Sequence, residues 1–329
     1  MKEDVFKGLN KQQVDAVSYI TGPSVILAGA GSGKTRVLIH KVMNLIINHN
    51  VSPSSILMIT FTNKAAGEMN KRIKLLSNKK LGFVGTFHSF CAWVLRQDGY
   101  HLGVSQNFII YDDDDQLTLI KSILKEKEIK KYSPAFLLNR ISAAKNKLIE
   151  PKRYLSFFSD YAAPHVFDIY IEYERQLIKQ QAVDFDDLIM KVTQLFIRHP
   201  EVLKKYQKVF RYIFVDEFQD TNYAQYTLTR LLGERYNNVT VVGDFSQSIY
   251  SWRGADIRNL EKFEEDFKNA KTFHLEQNYR SSQNILDFAY AVIEKNEGHP
   301  ILQLFTERGK GEDIAIYEAR DEEDESYYV

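Results

Sequence analysis

The sequence predicts an α/β fold with a mostly parallel β-sheet, interrupted by an inserted all-α domain. Six short β-branched runs are each followed by a loop of small polar residues and then a helical pattern, at residues 24–28, 56–60, 83–85, 212–215, 239–242 and 272–275. Strands that alternate with helices favour a parallel sheet. Between about residues 90 and 205 no strand pattern occurs, and apolar residues recur at three- and four-residue spacing. This spacing is typical of helices.

The composition indicates a globular protein of a reducing compartment. The chain has 329 residues, 44% of them hydrophobic, which is enough for two ordinary domains. A single cysteine, Cys91, excludes an internal disulfide framework, and no Cys/His group has the sequence spacing of a zinc site. The charged start leads into no apolar leader, and the apolar runs are strand-sized. We therefore expect a cytoplasmic protein without membrane insertion.

The net charge of zero hides an asymmetry along the chain. Residues 312–329 contain eight acidic side chains and one basic, whereas residues 1–311 contain 42 basic and 35 acidic side chains. Most of the chain therefore has a net charge of +7. A mild basic excess is compatible with a partner that carries phosphates.

The loop after the first strand has the composition of a phosphate-binding loop, or P-loop. Its glycines let backbone N–H groups close around a β-phosphate, Lys34 reaches the β and γ oxygens, and the Thr35 hydroxyl is a ligand for Mg²⁺. Ala28 stands where the strict pattern has glycine. The alternative is a glycine-rich turn with a chance lysine. The predicted P-loop consists of Ala28, Gly29, Ala30, Gly31, Ser32, Gly33, Lys34 and Thr35.

Two carboxylates follow the buried-strand pattern at residues 212–215. Because the carboxyl ends of parallel strands meet at one edge of a sheet, Asp216 and Glu217 are predicted to lie near the phosphates. Asp216 would hold Mg²⁺ through water, and Glu217 would polarise the attacking water. The alternative for an isolated Asp-Glu pair is a cap at the end of a strand.

Six segments in order resemble the motifs of superfamily 1 DNA helicases of the UvrD/Rep/PcrA group. Residues 9–13 (LNKQQ) resemble the Q motif, and the others resemble motifs Ia, Ib, II, III and IV. These are residues 59–66 (ITFTNKAA), 85–89 (GTFHS), 215–222 (VDEFQDTN), 242–255 (VGDFSQSIYSWRGA) and 275–281 (LEQNYRS). The resemblance covers almost the whole chain and implies a RecA-like P-loop NTPase domain that uses ATP and Mg²⁺.

The resemblance also implies roles for residues outside the P-loop. Gln13 would read the adenine edge, Tyr279 would stack on the adenine ring, and Arg36 would join the nucleotide-binding residues. Gln247 would sense the γ-phosphate and Arg280 would neutralise charge that develops on it. Judged by spacing alone, Gln13 would be a surface helix residue and Tyr279 a core aromatic.

Aromatic side chains beside a cation indicate binding of single-stranded DNA by base stacking and backbone charge. Tyr250, Trp252 and Arg253 lie within four residues of each other. The alternative for Trp252 and Phe61 is packing in the core, and a lone histidine such as His88 is often only a satisfied polar group. The predicted DNA-binding residues are Phe61, Thr62, Asn63, Thr86, Phe87, His88, Tyr250, Trp252 and Arg253.

The predicted domains are a RecA-like ATPase domain at residues 1–90 and 205–273, an inserted helical domain at 91–204, and the beginning of a second RecA-like domain at 274–329. No segment after residue 275 resembles motif V or VI, so we expect a fragment with weak or no activity by itself. The resemblance implies an ATP-dependent helicase that translocates 3′–5′ on single-stranded DNA and its junctions with duplex, in repair or replication. The alternatives are a nucleotide-switched DNA clamp that does not translocate and a small-molecule kinase.

Overall fold

The computed structural model describes residues 5–296 and 300–329. Within these residues the strands are β1 (Ser24–Ala28), β2 (Ile56–Thr60), β3 (Phe83–Thr86), β4 (Ile109–Tyr111), β5 (Ala182–Asp184), β6 (Tyr212–Val215), β7 (Val239–Gly243) and β8 (Lys271–Leu275). The helices are α1 (Lys11–Ser18), α2 (Lys34–Ile47), α3 (Asn63–Ser77), α4 (Phe87–Asp98), α5 (Asp113–Glu126), α6 (Pro134–Lys145), α7 (Ala163–Lys179), α8 (Phe185–Arg198), α9 (Pro200–Val209), α10 (Tyr223–Gly233), α11 (Asn259–Asp266), α12 (Gln283–Ile293) and α13 (Glu322–Tyr328).

The main sheet has six parallel strands in the order β3-β2-β6-β7-β1-β8. All six predicted strands are confirmed, and β3, β7 and β8 are each one residue longer than predicted. Every residue of β1, β2 and β7 is buried. Helices cover both faces of such a sheet, which explains why these strands appear in the sequence as continuous apolar runs.

The chain order of the strands brings distant loops to one edge of the sheet. Strand β7 lies between β6 and β1, so the loops that follow these three strands are neighbours. Ligands bind at this carboxyl edge in open α/β sheets, where the order of the strands reverses. The P-loop, Asp216 and Asp244 all lie there, because they follow β1, β6 and β7 respectively.

Residues 5–296 and 300–329 contain three hydrophobic cores. One side of the sheet packs against α4, α8, α9, α10 and α11, and the other side packs against α1, α2 and α3. A third core is formed by α5, α6 and α7, away from the main sheet. None of the helices described here has the length and apolar character of a membrane span.

The region between β3 and β6 is mainly helical, as predicted, but the expectation that it contains no strands is wrong. Strands β4 and β5 pair in parallel, with Ile110 opposite Val183. Each has only three residues, which is too short to produce a recognisable alternation of apolar and polar side chains.

A buried ion cluster joins three helices of this region. Lys145 at the end of α6 is fully buried, and its Nζ lies 2.6 Å from Glu174, 2.6 Å from Asp184 and 2.9 Å from Asp187. The hydroxyl of Tyr173 donates to Asp184 at 3.0 Å. A buried charge is tolerated only when it is paired and hydrogen-bonded. Burial of Lys145 therefore requires the carboxylates, and burial of the carboxylates requires a cation.

Candidate functional site

The P-loop has the strand, loop and helix order that the sequence predicted. Strand β1 ends at Ala28 and α2 begins at Lys34. Between them Gly31 and Gly33 have φ values of 67° and 89°, which side chains with a Cβ rarely adopt. The backbone N–H and the hydroxyl of Ser32 both donate to the carbonyl of Gly29, at 3.2 and 2.7 Å. The loop is therefore closed, with the amino end of α2 at its rim.

The two predicted carboxylates lie beside the P-loop lysine. The Nζ of Lys34 is 3.4 Å from Oε2 of Glu217. Burial, followed by the nearby charge of Glu217, raises the pKa of Asp216 to about 7, although Lys34 opposes the shift. Glu217 has a φ of 52°. A left-handed backbone at a residue other than glycine is strained and is concentrated at functional sites.

Asp216 has the properties of a ligand for a divalent cation. It is only 5% exposed, and its Oδ1 makes no hydrogen bond to any residue within the described parts of the chain. An unpaired buried carboxylate oxygen is costly. Hard cations such as Mg²⁺ prefer carboxylate and hydroxyl oxygens, and Thr35 offers such a hydroxyl on the first turn of α2. The donor set therefore fits Mg²⁺.

The Q motif and motif IV lie together next to the P-loop. The side-chain amide of Gln13 is buried and donates to the carbonyl of Ser32 at 2.9 Å. Asn10 donates to the hydroxyl of Tyr279 at 2.8 Å. The backbone N–H of Tyr279 donates to the carbonyl of Gly31 at 3.0 Å. Gln13 is thus a buried residue of the site, and the half-exposed ring of Tyr279 lies at its edge.

Arg280 and its neighbours in motif IV lie against the P-loop. A Cβ added to Gly31 would lie 2.8 Å from both Arg280 Cβ and Asn278 Nδ2, and one added to Gly29 would collide with Leu304. Motif IV therefore packs closely against the P-loop. The guanidinium of Arg36 lies against Gly8, next to the Q motif.

Gln247 occupies the opposite side, after β7. Its backbone N–H donates to the carbonyl of Asp244, and its side-chain amide donates to Oδ2 of Asp244 at 2.9 Å. The side chain is exposed. It is held at the carboxyl edge of the sheet without direct contact to Lys34 or Glu217 among the hydrogen bonds of the described residues.

Gln219 is a residue that the sequence reasoning missed. Its Nε2 donates to Glu217 at 2.9 Å and to Asp220 at 3.3 Å, and its Oε1 accepts from the backbone N–H of Asp244 at 3.1 Å. Its carbonyl accepts from the hydroxyl of Ser248 at 3.3 Å. One amide side chain therefore connects motif II to motif III. Its position within motif II could have identified Gln219 as a site residue. The neighbouring sequence does not indicate that its side chain contacts Asp244.

Three aromatic side chains form a row at the surface, which we call the aromatic row: Phe61, Tyr250 and Trp252. The rings of Phe61 and Tyr250 are stacked with centroids 5.7 Å apart, and those of Tyr250 and Trp252 are 6.4 Å apart. Trp252 is 73% exposed, so the alternative that it packs in the core is wrong. Arg253 is predicted to bind DNA beside these rings, and its side chain lies outside the described part of the structure.

The predicted polar DNA contacts lie at the starts of two helices, α3 and α4. Thr62 caps α3, where its hydroxyl accepts from the N–H of Ala65 at 3.1 Å, and Asn63 is exposed in the first turn. Thr86 caps α4 and is largely buried. Both hydroxyls therefore already have a structural partner.

The prediction for Phe87 needs a correction. Its side chain is buried in the core on one side of the sheet, so its ring is not available to stack on a base. A helix begins at this residue, and the first apolar side chain of α4 points towards the sheet. The sequence motif alone could not distinguish this orientation from an exposed one.

His88 has an aromatic neighbour that the sequence reasoning missed. Phe185, the first residue of α8, lies edge-on to the imidazole with the centroids 5.7 Å apart and is 44% exposed. Burial lowers the pKa of His88, so its imidazole is neutral at pH 7 and could contact phosphate only as a hydrogen-bond donor. Phe185 directly follows Asp184, which caps α8 in a capping box with Asp187.

Comparisons with known proteins agree with the resemblance. A family model described as the UvrD/REP helicase N-terminal domain matches residues 9–268, and one described as the UvrD-like helicase C-terminal domain matches residues 273–329. The ATP-dependent DNA helicase PcrA of Bacillus subtilis is 46% identical over 100% of this chain, which spans 45% of that relative. The PcrA helicase of Staphylococcus epidermidis is 47% identical over 98% of this chain, which spans 45% of that relative. The PcrA helicase of Leuconostoc citreum is 46% identical over 99% of this chain, which spans 44% of that relative.

Proposed function

Because the chain belongs to the UvrD/REP helicase family, we propose that it provides the ATP site and part of the DNA track of an ATP-driven helicase that translocates 3′–5′ on single-stranded DNA. The observation that carries the proposal is Gln219, which connects the carboxylate next to Lys34 with the loop that leads to the aromatic row. Nucleotide hydrolysis and DNA binding would then both involve motif II and motif III.

The nucleotide would bind along the P-loop. Backbone N–H groups of the loop would surround the β-phosphate, and Tyr279, Gln13 and Arg36 would contact the base and its surroundings. Thr35 and Asp216 would hold Mg²⁺, which when bound neutralises charge on the phosphate oxygens. The unpaired oxygen of Asp216 supports this assignment.

Four side chains would catalyse hydrolysis. Glu217 would orient and polarise the attacking water, and Lys34 would stabilise charge on the β and γ oxygens. Gln247 and Arg280 would contact the γ-phosphate from opposite sides of the loop. The 3.4 Å separation between Lys34 and Glu217 supports a shared reaction centre, because it places the phosphate-binding cation and the proposed base in direct contact.

Single-stranded DNA would bind across the aromatic row. Bases would stack on the rings of Phe61, Tyr250 and Trp252, and the phosphates would contact Arg253 and the polar groups at the starts of α3 and α4. Those polar groups belong to Thr62, Asn63, Thr86 and His88. Junctions of single and double strands, and proteins of repair or replication, are the proposed partners, and the cytoplasm is the proposed location.

The proposed division into domains follows the same reasoning. Residues 1–90 and 205–273 would form the RecA-like ATPase domain, residues 91–204 the inserted helical domain, and residues 274–329 the beginning of a second RecA-like domain. The separate core of α5, α6 and α7 supports an independent unit within the insertion. Helices α4, α8 and α9 pack on the main sheet, so they would connect the two units.

A Lys34→Ala variant tests the proposed ATP site. We expect ATP turnover to fall by about 10²-fold or more, because loss of one preorganised group that stabilises transition-state charge typically costs that much. Phosphate release with and without oligo-dT measures the effect. The matched control is Lys121→Ala, since Lys121 is exposed on α5. Turnover equal to that of the parent would contradict the assignment.

The rival functions differ in their products. A small-molecule kinase would transfer phosphate to an acceptor, so ADP would form without equal release of inorganic phosphate, and oligo-dT would have no effect. A nucleotide-switched clamp would change its DNA affinity with nucleotide, but would not displace streptavidin from the end of a biotinylated oligo-dT. That displacement assay requires a protein of the length of the curated relatives, and displacement from the 5′ end would support 3′–5′ translocation.

A further inference from the structure

Three side chains with metal-binding groups lie together, on segments that contribute no residue to the proposed nucleotide site. They are His101, in the short 3₁₀ turn after α4, His199, between α8 and α9, and Glu201, in the first turn of α9. One ligand atom from each lies within 4.8 Å of the others. His199 Nδ1 is 3.2 Å from Glu201 Oε1, and the two imidazole centroids are 4.9 Å apart.

We propose that His101, His199 and Glu201 form a binding site for a divalent transition metal of the zinc class. Two imidazole nitrogens and one carboxylate oxygen are a donor set that zinc binds, with water completing four ligands. Nickel and cobalt also accept imidazole. Calcium and magnesium prefer an all-oxygen set, so the proposed site differs in class from the one at Asp216.

The distances suit a small cation. Tetrahedral zinc with bonds of about 2.1 Å places neighbouring ligand atoms about 3.4 Å apart. The nitrogen and oxygen of His199 and Glu201 are already 3.2 Å apart. The widest possible separation, 4.8 Å, would have to close by only about 1.4 Å to reach the tetrahedral value, which side-chain rotation provides.

The three side chains are accessible and partly ordered. His101 and His199 are half-buried and Glu201 is exposed, so an ion can enter from solvent. The ring of Tyr100 stacks on His101 with centroids 4.2 Å apart. His199 and Glu201 are positioned by the break between α8 and α9. The backbone therefore orients the ligands before a metal arrives.

The position gives the proposed metal a structural consequence. His101 follows α4, and His199 and Glu201 lie at the junction of α8 and α9, so all three belong to helices that pack on the main sheet. The same two connections are already joined at Asp98, which accepts from Lys205 Nζ at 2.8 Å and from the hydroxyl of Tyr206 at 2.5 Å. A metal would add a second cross-link at this joint and would stabilise the folded state by mass action.

A cobalt titration of the metal-free 329-residue chain tests the proposal, with zinc as competitor and thermal unfolding as a second readout. We expect one equivalent to produce the visible absorption of four-coordinate cobalt, and zinc to abolish it and raise the melting temperature. His101→Ala and His199→Ala should each lose at least about 10-fold in affinity, since loss of even an outer-shell partner costs that much. His274→Ala is the matched control, because His274 is exposed on β8.

Two further variants separate this site from others. Asp216→Asn should retain the cobalt signal, because Asp216 belongs to the nucleotide site. Glu201→Gln keeps both imidazoles and should weaken binding without loss of the metal-free fold, which circular dichroism checks. The proposal is overturned if the parent binds no more tightly than His199→Ala, or if Asp216→Asn removes the signal. Either result would leave His199 and Glu201 as a simple ion pair.

Discussion

At the scale of single residues, Glu217 combines a strained backbone with a charged partner. Its φ of 52° and its position 3.4 Å from Lys34 place the carboxylate at the mouth of the P-loop. Glu217→Gln keeps the shape of the side chain but cannot polarise water as a base. We expect ATP affinity to be retained and turnover to fall by about 10²-fold or more, the usual contribution of a positioned acid or base.

Isothermal titration with ATP and a phosphate-release assay measure these two quantities for Glu217→Gln. Glu261→Gln is the matched control, since Glu261 is exposed on α11. If ATP affinity fell together with turnover, Glu217 would instead be a residue that maintains the shape of the site.

Trp252 is the residue whose environment most clearly supports contact with DNA. Its ring is 73% exposed and adjoins Tyr250. Trp252→Ala should weaken binding of oligo-dT by about 1–3 kcal/mol, the usual contribution of one base stacked on an aromatic ring, with little change in sequence preference. Fluorescence anisotropy measures the affinity.

The control for Trp252→Ala is Tyr327→Ala, because Tyr327 is 94% exposed on α13, away from the aromatic row. The two variants should have unchanged circular dichroism. Equal oligo-dT affinity of parent and Trp252→Ala would mean that the aromatic row does not bind DNA.

At the scale of helices, the cluster around Lys145 joins α6, α7 and α8 by charge. Replacing this lysine leaves Asp184 buried without a cation, while Glu174 and Asp187 keep only Lys191, at 3.2 and 3.3 Å. Lys145→Met should therefore destabilise the fold by about 3–5 kcal/mol, the cost of removing one partner from a buried ion pair. Urea unfolding followed by circular dichroism measures the change, and Lys147→Met at an exposed position two residues later is the matched control.

The same variant should depend on pH in a defined direction. Burial, followed by Asp187, already raises the pKa of Asp184 to about 7, and Lys145 opposes this shift. Without Lys145 the folded-state pKa rises further above the unfolded value, so the folded form gains stability by protonation as the pH falls. The loss in free energy of unfolding that Lys145→Met causes should therefore become smaller as the pH falls from 8 to 5. A deficit that grows with acidity would contradict this explanation.

At the scale of the whole molecule, Gln219 connects the two proposed sites. Because linkage is reciprocal, a non-hydrolysable ATP analogue should change oligo-dT affinity by the same factor as oligo-dT changes affinity for the analogue. Typical coupling is about 5- to 150-fold. Gln219→Ala should reduce this factor, because it removes the contacts to Glu217 and to the N–H of Asp244.

Two titrations, each with and without the second ligand, measure the coupling of Gln219→Ala. Gln97→Ala is the matched control, since Gln97 is exposed on α4. An unchanged factor in Gln219→Ala would show that the bridge is structural and that any coupling uses another route.

Much of the fold and of the proposed nucleotide site followed from short-range patterns. The six strands were predicted because buried parallel strands are continuous β-branched runs, whereas β4 and β5 were too short to produce a pattern. The P-loop was predicted because its conformation is local: glycines at 31 and 33 adopt positive φ between a strand and a helix.

The sequence by itself therefore determined the strands, the P-loop and the motif order, since each depends on residues that are close together in the chain. Only the tertiary structure decided which side chains meet. Phe87 points into the core, Gln219 reaches Asp244, and His199 approaches His101 from 98 residues away. No Cys/His group has the sequence spacing of a zinc site, but spacing cannot describe side chains that two separate connections bring to one point. Orientation and long-range proximity are set by packing of helices on the sheet, which no local pattern contains.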